Sequence, residues 1–315
     1  MIIDVNTRIW TNLDQLGSKT AERLRSKKTE RWGQFDASLP AHEKAMSSID
    51  GALVFGYRSE LQGAHIPNEL VAEFVGKNPR RRIGVAGIDP MSPDAMDQID
   101  KAVGLGLLAL TISPACQGFH PSHSSAMRIY DRCVELSMPL FVTMSSPLTP
   151  DSVLEFGRPL LWDEVIRSFP KLPIVFSEIG QPWIDETLLL LSKHDHVYAD
   201  ISGVASRPWQ LYNALLNANS YHVMEKLLFG SGFPYDVPEK VIELLYTVNA
   251  FSQGTQLPSI PRSQIRGIVE RDSLSCLGID AEITSLKQAD DMERMLPTEI
   301  EYLAERASVN AGNVQ

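Results

Sequence analysis

The sequence has few cysteines, and none of them stand close together. Cys116, Cys133 and Cys276 are the only cysteines among 315 residues, and they form no CxxC or other close pair. This spacing argues against a disulfide framework and favours a reducing compartment. No apolar stretch is long enough to cross a bilayer. The first apolar strand begins without the basic and apolar segments of a signal peptide, so we expect a cytoplasmic protein that has no membrane partner.

Positive charge is also scarce. The chain carries 29 Lys and Arg against 39 Asp and Glu, which gives a formal net charge of -10. Binding to a nucleic-acid backbone needs clustered Lys and Arg that displace counterions. The one basic run, residues 80–82, stands just before a predicted strand and fits a solvated loop. We therefore expect no nucleic-acid partner.

Two sequence signatures of other enzyme classes are missing. No serine lies in a Gly-x-Ser-x-Gly elbow, which argues against a serine-nucleophile hydrolase. No Gly-rich phosphate fingerprint follows a predicted strand, which argues against a dinucleotide-binding doubly wound sheet. Cys116 is a lone cysteine without a histidine base assigned to it, and such cysteines are usually inert, so a cysteine nucleophile is not indicated either.

What the sequence does contain is a regular alternation of short apolar runs and longer amphipathic segments. Such alternation is typical of βα units that close a parallel sheet, and 43% hydrophobic residues supply a large core. Eight alternations predict a (β/α)8 TIM barrel. The predicted strands are Ile2–Val5, Gly51–Phe55, Ile83–Ile88, Leu107–Ile112, Leu140–Met144, Ile174–Ser177, Val197–Ile201 and Leu227–Phe229, and the predicted helices are Asn68–Gly76, Pro93–Val103, Ser124–Leu136, Leu160–Phe169, Trp183–Lys193, Trp209–Ala218 and Asp236–Ala250.

Two segments depart from the repeat. Thr11–Pro40 is a long polar insertion after the first strand, and either a lid over the active face or a plain surface excursion fits it. Residues 281–315 are rich in Glu, Asp, Met and Leu, which suggests a helix that frays into a disordered end. We therefore predict one barrel domain over residues 1–280 and a C-terminal tail over 281–315.

Four segments of the chain resemble a known family. Met138–Thr143, Phe169–Trp183, Val197–Gly203 and Arg266–Ser273 are similar, in order and spacing, to blocks of the amidohydrolase-related family of the amidohydrolase superfamily. The resemblance covers roughly residues 1–280. It implies a TIM barrel with a divalent metal at its mouth and hydrolase or decarboxylase activity on small organic acids. It also suggests that the chain forms a homodimer.

The metal-binding positions that the resemblance implies carry unusual residues here. In the first strand, Asn6 and Arg8 occupy the two histidine places of an Asp-x-His-x-His pattern. In the last strand, Gly232 occupies the aspartate place of Phe-Gly-Ser-Asp-Phe-Pro, and Thr143 and Glu178 fill the remaining positions. A catalytic zinc needs about three ligands from His, Asp, Glu or Cys, and only Glu178 qualifies. We therefore expect no metal cofactor.

Arg8 and Glu178 suggest a replacement for the lost metal. Both would end strands at the mouth, where a guanidinium and a carboxylate can pair bidentately. Gly232 would leave room for the guanidinium. In one interpretation the pair plugs an abandoned cavity. In the other, Arg8 binds the carboxylate of a small acid and Glu178 moves protons.

Further candidate residues lie on loops of the same face. Asp236 could replace the lost aspartate, although acids in the first turn of a helix are also common for dipole reasons. His120 and His123, after the fourth strand, are candidates for substrate recognition, and a metal site formed by them with Glu178 ranks last. The remaining predicted substrate-binding residues are Asn6, Thr143 and Asp200.

Two functions remain open at this stage. The first is an enzyme that acts on a small, carboxylate-bearing organic molecule by metal-independent hydrolysis or carbon-carbon lyase chemistry. The alternative is a pseudoenzyme that is retained for ligand binding or as an interaction subunit. An open mouth lined by polar side chains favours the first, and a mouth filled by bulky apolar side chains favours the second.

Overall fold

The computed structural model of the protein describes residues 1–26, 35–144 and 148–286. Ten strands lie in these ranges, and eight of them form one parallel sheet in the order β1-β2-β5-β6-β7-β8-β9-β10. The strands are β1 (Ile3–Arg8), β2 (Gly51–Phe55), β3 (Tyr57–Ser59), β4 (Ala64–Ile66), β5 (Arg82–Gly87), β6 (Ala109–Ile112), β7 (Leu140–Val142), β8 (Ile174–Phe176), β9 (Val197–Asp200) and β10 (Leu227–Leu228).

Backbone hydrogen bonds between the two ends of this sheet close it into a barrel. The amide of Val5 donates to the carbonyl of Phe229 at 3.0 Å, and the amide of Arg8 donates to the carbonyl of Phe233 at 3.0 Å. The fold is therefore a (β/α)8 TIM barrel, as the alternation of the sequence predicts. All eight predicted strands are present, and their ends differ from the predicted ones by a few residues.

Helices fill the connections between strands and cover the outside of the barrel. All seven predicted helices are present, and five more lie in the described ranges, namely α1, α2, α5, α11 and α12. In the described ranges, no helix has both the length and the apolar character to cross a membrane. The helices are α1 (Ser18–Ser26), α2 (Leu39–Ala45), α3 (Asn68–Gly76), α4 (Ala95–Gly104), α5 (Pro114–Gln117), α6 (Ser124–Leu136), α7 (Asp163–Ser168), α8 (Ile184–Lys193), α9 (Pro208–Ser220), α10 (Pro238–Thr247), α11 (Arg262–Glu270) and α12 (Ser273–Leu277).

The apolar core has two layers. The larger layer lies between the sheet and the surrounding helices, and the smaller one fills the barrel interior with side chains such as Val5, Phe55 and Phe141. Leu274 and Leu277 of α12 belong to the inner layer, so this helix closes the amino-terminal end of the barrel. Only the opposite end, the mouth formed by the carboxyl ends of the strands, is left for a site.

A β-bulge in β1 decides which side chains reach the mouth. Asp4 pairs with Ala52 and Thr7 with Val54, so β1 has one extra residue between these pairs. A bulge reverses the inward and outward alternation of a strand and often lies beside an active site. Val5 therefore faces the barrel interior and Asn6, the next residue, turns inward as well.

The described part of the predicted insertion lies on the active face. Lys19 of α1 pairs with Asp151 at 2.6 Å, and Nη1 of Arg23 donates to the carbonyl of Leu148 at 2.5 Å. These contacts join α1 to the loop after β7, and both the lid and the plain surface excursion remain compatible with them. Residues 27–34 of the insertion lie outside the described residues.

The start of the predicted tail packs against the barrel. The amide of Thr284 donates to the carbonyl of Arg80 at 3.0 Å, and that of Leu286 donates to Oδ1 of Asp50 at 2.7 Å. Residues 287–315 lie outside the described residues, so the helix predicted there stays a prediction.

Candidate active site

A buried carboxylate at the end of β9 organises the mouth. Oδ2 of Asp200 accepts a hydrogen bond from Nδ2 of Asn6 at 3.1 Å, and Oδ1 accepts from the amides of Glu178 at 3.2 Å and Ser202 at 3.0 Å. The Ser202 hydroxyl also donates to Oδ1, and it accepts from Asn6 at 2.9 Å. The structure thus brings the predicted residues Asn6, Glu178 and Asp200 together at the ends of β1, β8 and β9.

Glu178 reaches the mouth through an unusual backbone conformation. Glu178 and Ile179 have left-handed φ values of 59° and 50°, which L residues adopt rarely and at a cost in free energy. This turn lays the Glu178 carboxyl against Gly203, where an added Cβ would come within 2.9 Å of it. Burial raises the pKa of Glu178 to about 7, the Arg8 charge opposes this rise, and the Asp200 charge adds to it.

Arg8 is buried but has no partner among the described residues. It is 8% exposed, and its guanidinium makes no hydrogen bond there and no ion pair at 4.0 Å or less. The predicted bidentate pair with Glu178 is therefore wrong, because the left-handed turn directs the carboxyl to Gly203. The charge of Arg8 nevertheless acts on Glu178 and on Tyr235.

The predicted role of Gly232 as space for the guanidinium is also wrong. The three atoms nearest to a Cβ at Gly232 would be two of Ser202, at 3.2 Å and 3.8 Å, and the Gly203 amide nitrogen at 3.8 Å, and none of the three belongs to Arg8. Gly232 has a φ of 73°, so a turn after β10 requires the glycine.

Tyr235 belongs to the site, although the sequence did not single it out. Burial raises the pKa of its phenol to about 12, the Arg8 charge lowers it and the Glu178 charge raises it. Its ring meets the edge of Phe35 at a centroid distance of 4.8 Å. Its position just after Phe233 and Pro234, on the loop that follows the last strand, was the signal that could have identified it.

Asp4 is a second site residue that the sequence did not single out. Its Oδ1 accepts from the amides of Asn6 at 3.1 Å and Ser231 at 2.9 Å, so it holds the bulge of β1 against the loop after β10. Its burial raises its pKa to about 7. Among the described atoms, Asp4 Oδ2 and Asn6 Oδ1 are buried without a hydrogen-bond partner. The aspartate of the Asp-x-His-x-His pattern was the available signal.

Two other predicted residues lie nearby but make structural contacts. The Thr143 hydroxyl follows β7 and donates to the carbonyl of Ile112 at 3.3 Å. The Asp236 carboxylate is buried and pairs with Lys240, one turn along α10. The structure shows no contact between Asp236 and Arg8 or Glu178 among the described residues.

His120 and His123 are exposed and make local contacts. Nδ1 of His120 accepts from the amide of Ser122 at 3.2 Å, and His123 caps α6 by accepting from the amide of Ser125 at 3.2 Å. In the described ranges, no group of three or more His, Cys, Asp or Glu is placed to hold a metal. The metal site considered for these histidines with Glu178 is therefore contradicted.

Comparisons with known proteins agree with this architecture. The amidohydrolase family model matches residues 3–257. The chain belongs to the amidohydrolase family. No curated protein matches the sequence. An uncharacterised TIM-barrel protein from Bordetella bronchiseptica superposes on this member of the family with a TM-score of 0.67 at 19% identity, covering 88% of this chain and 99% of that one.

Two further solved structures carry a metal. An amidohydrolase from Burkholderia multivorans with bound zinc has a TM-score of 0.65 at 13% identity, with 88% of this chain and 99% of that chain covered. A dihydroxybenzoic acid decarboxylase from Polaromonas with bound manganese has a TM-score of 0.62 at 14% identity, with 89% and 97% covered. At these identities the likeness shows the shared fold.

The residues of this family member do not fit the metal that the family implies. Asn6 uses its amide nitrogen on Asp200 and Ser202, and Arg8 brings a positive charge to the mouth. Asp200 already accepts from donors on both of its oxygens. A divalent cation needs several free anionic or imidazole donors, and the described residues offer no such group.

Proposed function

We propose that this amidohydrolase-family chain is an enzyme that acts on a small organic acid at the mouth of the barrel, where Arg8 binds a carboxylate and Glu178 moves a proton. The observation that carries the proposal is the buried Arg8 guanidinium without a partner among the described residues. A buried guanidinium without a hydrogen bond or an ion pair is costly, so this position favours a bound anion. A carboxylate fits, because its two oxygens match the guanidinium fork.

The names of several relatives with the same fold support this substrate class. They include a 5-carboxyvanillate decarboxylase from Novosphingobium aromaticivorans, a 2,6-dihydroxybenzoate decarboxylase and a probable 2-pyrone-4,6-dicarboxylic acid hydrolase from Acinetobacter baumannii. Each of these names refers to an organic acid. They leave the reaction open between carbon-carbon cleavage and hydrolysis.

Glu178 can serve either reaction as a general acid or base. With a pKa of about 7, both of its protonation states are populated at neutral pH. In hydrolysis, the ionised carboxylate takes a proton from water while the water oxygen bonds to the substrate carbonyl carbon. It then gives the proton to the leaving oxygen as the bond between that oxygen and the carbonyl carbon breaks. In decarboxylation, carbon dioxide leaves, its bonding electron pair stays on the substrate carbon, and the protonated carboxyl gives that carbon a proton.

We further propose that the reaction proceeds without a divalent metal, because the donor set at the family's metal positions is unsuitable. Elemental analysis of purified protein, beside samples reconstituted with zinc and manganese, tests this. Less than a tenth of an equivalent of metal is expected to stay bound. A stoichiometric, tightly held metal would overturn this part of the proposal.

The second candidate function is ligand binding without catalysis. The observation that favours it is Asp200, whose two oxygens are occupied by Asn6, Glu178 and Ser202 and are therefore not free to act on water. Catalysis then depends on Glu178 alone. Binding of carboxylates without turnover of any tested ester, lactone or aromatic acid would favour this candidate.

Arg8→Ala tests the proposal directly. Calorimetric titration with benzoate is expected to show binding to the wild type and a loss of more than about tenfold in affinity in Arg8→Ala, because a charged hydrogen-bond pair is removed. Arg266→Ala is the control, since Arg266 is exposed and pairs with Glu270 on α11. Unchanged affinity in Arg8→Ala would contradict the proposal.

A further inference from the structure

A second arginine lies on the loop that approaches the same carboxyl group through Gly203. Arg207 directly precedes α9, and its charge acts on Glu178 together with that of Arg8. Among the described residues, no carboxylate forms an ion pair with the Arg207 guanidinium. Its Nη1 donates only to the neutral Oε1 of Gln210, at 3.2 Å. Two cations without ion pairs among the described residues therefore act on Glu178 in a protein whose net charge is -10.

A compact loop fixes Arg207 at the rim of the mouth. The amide of Val204 donates to the carbonyl of Ser202 at 2.7 Å, and the amide of Arg207 donates to the carbonyl of Val204 at 2.9 Å. The same loop begins at Asp200, which anchors the Glu178 amide, and contains Gly203, which touches the Glu178 carboxyl. The loop thus carries Arg207 next to the residue that Arg8 approaches from the barrel interior.

The two arginines differ in depth. Arg8 is buried at the end of β1, whereas Arg207 is exposed before α9. A ligand that reaches both must extend from the interior to the rim. Its negative charges must also lie at its two ends, because the carboxyl of Glu178, on which both cations act, repels a negative charge near it when it is ionised.

The charge balance favours two negative groups on the ligand. With Glu178 protonated, the two guanidinium groups leave two positive charges without a partner among the described residues. A monocarboxylate neutralises one of them, and a dicarboxylate neutralises both. Bidentate pairing of a carboxylate with a guanidinium also fixes orientation.

We propose that Arg207 forms a second anion subsite and that the site selects small dicarboxylates, with one carboxylate on Arg8 and the other on Arg207. This inference rests on the proposed function, because it takes Arg8 as the first anchor. Arg207 is then a specificity-determining residue that contacts the substrate.

The test compares benzoate with phthalate, isophthalate and terephthalate, which add a second carboxylate at increasing distance. By calorimetric titration at constant ionic strength, the wild type is expected to bind at least one dicarboxylate about three- to tenfold more tightly than benzoate, since the added contact is partly exposed. Arg207→Ala is expected to bind that dicarboxylate no more tightly than it binds benzoate. Arg207→Lys is expected to keep part of the preference, because it keeps the charge.

The outcomes separate this inference from the proposed function. If Arg8→Ala loses all binding but Arg207→Ala keeps the preference for a dicarboxylate, the second subsite is wrong and the proposed function stands. The same follows if the wild type binds benzoate and all three dicarboxylates equally. If none of the four compounds binds the wild type at millimolar concentration, or if Arg8→Ala binds all of them normally, both proposals are overturned. Arg266→Ala must behave as the wild type throughout.

Discussion

Asn6 and Asp200 join the first and seventh strands of the barrel across its mouth. Nδ2 of Asn6 donates to Oδ2 of Asp200 at 3.1 Å, and both side chains are buried. Asn6 occupies a position where the family resemblance implies a metal-binding histidine. Here the residue instead immobilises the carboxylate that anchors the Glu178 amide. The site is therefore built around hydrogen bonds and one unpaired cation, and its behaviour can be tested on these features.

Gly203→Ala is expected to disturb Glu178 as well as the backbone. Gly203 has a φ of 69°, so any L residue there costs about 1–2 kcal/mol, and the new Cβ would lie 2.9 Å from the Glu178 carboxyl. Turnover, or the pH dependence of carboxylate binding, should change in addition to the free energy of unfolding.

Gly254→Ala is the matched control for Gly203→Ala. Gly254 has a φ of 70°, but no atom lies within 4 Å of its added Cβ. The free energy of unfolding in urea should fall by about as much in Gly254→Ala as in Gly203→Ala, whereas ligand binding by Gly254→Ala should stay as in the wild type. Equal effects of the two variants on binding would contradict the assigned contact between Gly203 and Glu178.

Two buried arginines are expected to respond in opposite directions to replacement by methionine. Arg8 and Arg82 are each 8% exposed, but Arg82 pairs with Glu43 at 2.7 Å and donates to the carbonyl of Phe74 at 3.0 Å. Arg82→Met should lower the free energy of unfolding by about 1–3 kcal/mol, because those contacts are lost.

Arg8→Met removes a buried charge that has no partner among the described residues. It should leave the free energy of unfolding unchanged or raise it by about 1 kcal/mol, while carboxylate binding is lost. Urea unfolding of both variants without ligand checks the contrast. A large destabilisation by Arg8→Met would show that Arg8 has a structural role instead.

Carboxylate binding should weaken as the pH rises through about 7, because Glu178 has a pKa of about 7. Below this pH the carboxyl is neutral, and above it a negative charge competes with the ligand for Arg8. The dissociation constant of benzoate is expected to rise about three- to tenfold between pH 6 and pH 8. Glu178→Gln should flatten the profile, whereas Glu243→Gln, on the exposed face of α10, should leave it as in the wild type. A flat wild-type profile would contradict this role of Glu178.

His42 is expected to destabilise the protein in acid. It is fully buried, its Nε2 lies 2.9 Å from Oγ1 of Thr7, and its burial lowers its pKa from 6.5 to about 3. The unfolded chain therefore binds a proton between these pH values that the folded chain does not bind, and stability falls as the pH drops below 6.5.

His42→Leu removes this contribution. The free energy of unfolding is measured by urea titration for both proteins. As the pH falls from 7 to 4, the difference between His42→Leu and the wild type should shift by about 2–3 kcal/mol in favour of the variant. His65→Leu, at an exposed position in β4, should show no such gain. A constant difference between His42→Leu and the wild type across this range would show that His42 is not held neutral.

Much of the fold was predictable because the local pattern sets it. Each barrel strand is a short apolar run followed by an amphipathic helix, and burial on both faces of a parallel sheet requires that pattern. The hairpin of β3 and β4 was not predicted, because strands of three residues leave too little periodicity to detect. The resemblance to the amidohydrolase family singled out Asn6 and Glu178, and the end of the seventh barrel strand singled out Asp200, and the structure brings these three residues together.

The sequence by itself therefore determined the barrel, the family and the side chains that end its strands. Only the tertiary structure decided how these side chains meet. The bulge in β1, the left-handed turn at Glu178 and the contact with Gly203 depend on backbone hydrogen bonds between distant strands and loops. Such contacts leave no periodic signal in the chain, and they explain why Glu178 does not pair with Arg8, and why Asp4 and Tyr235 belong to the site.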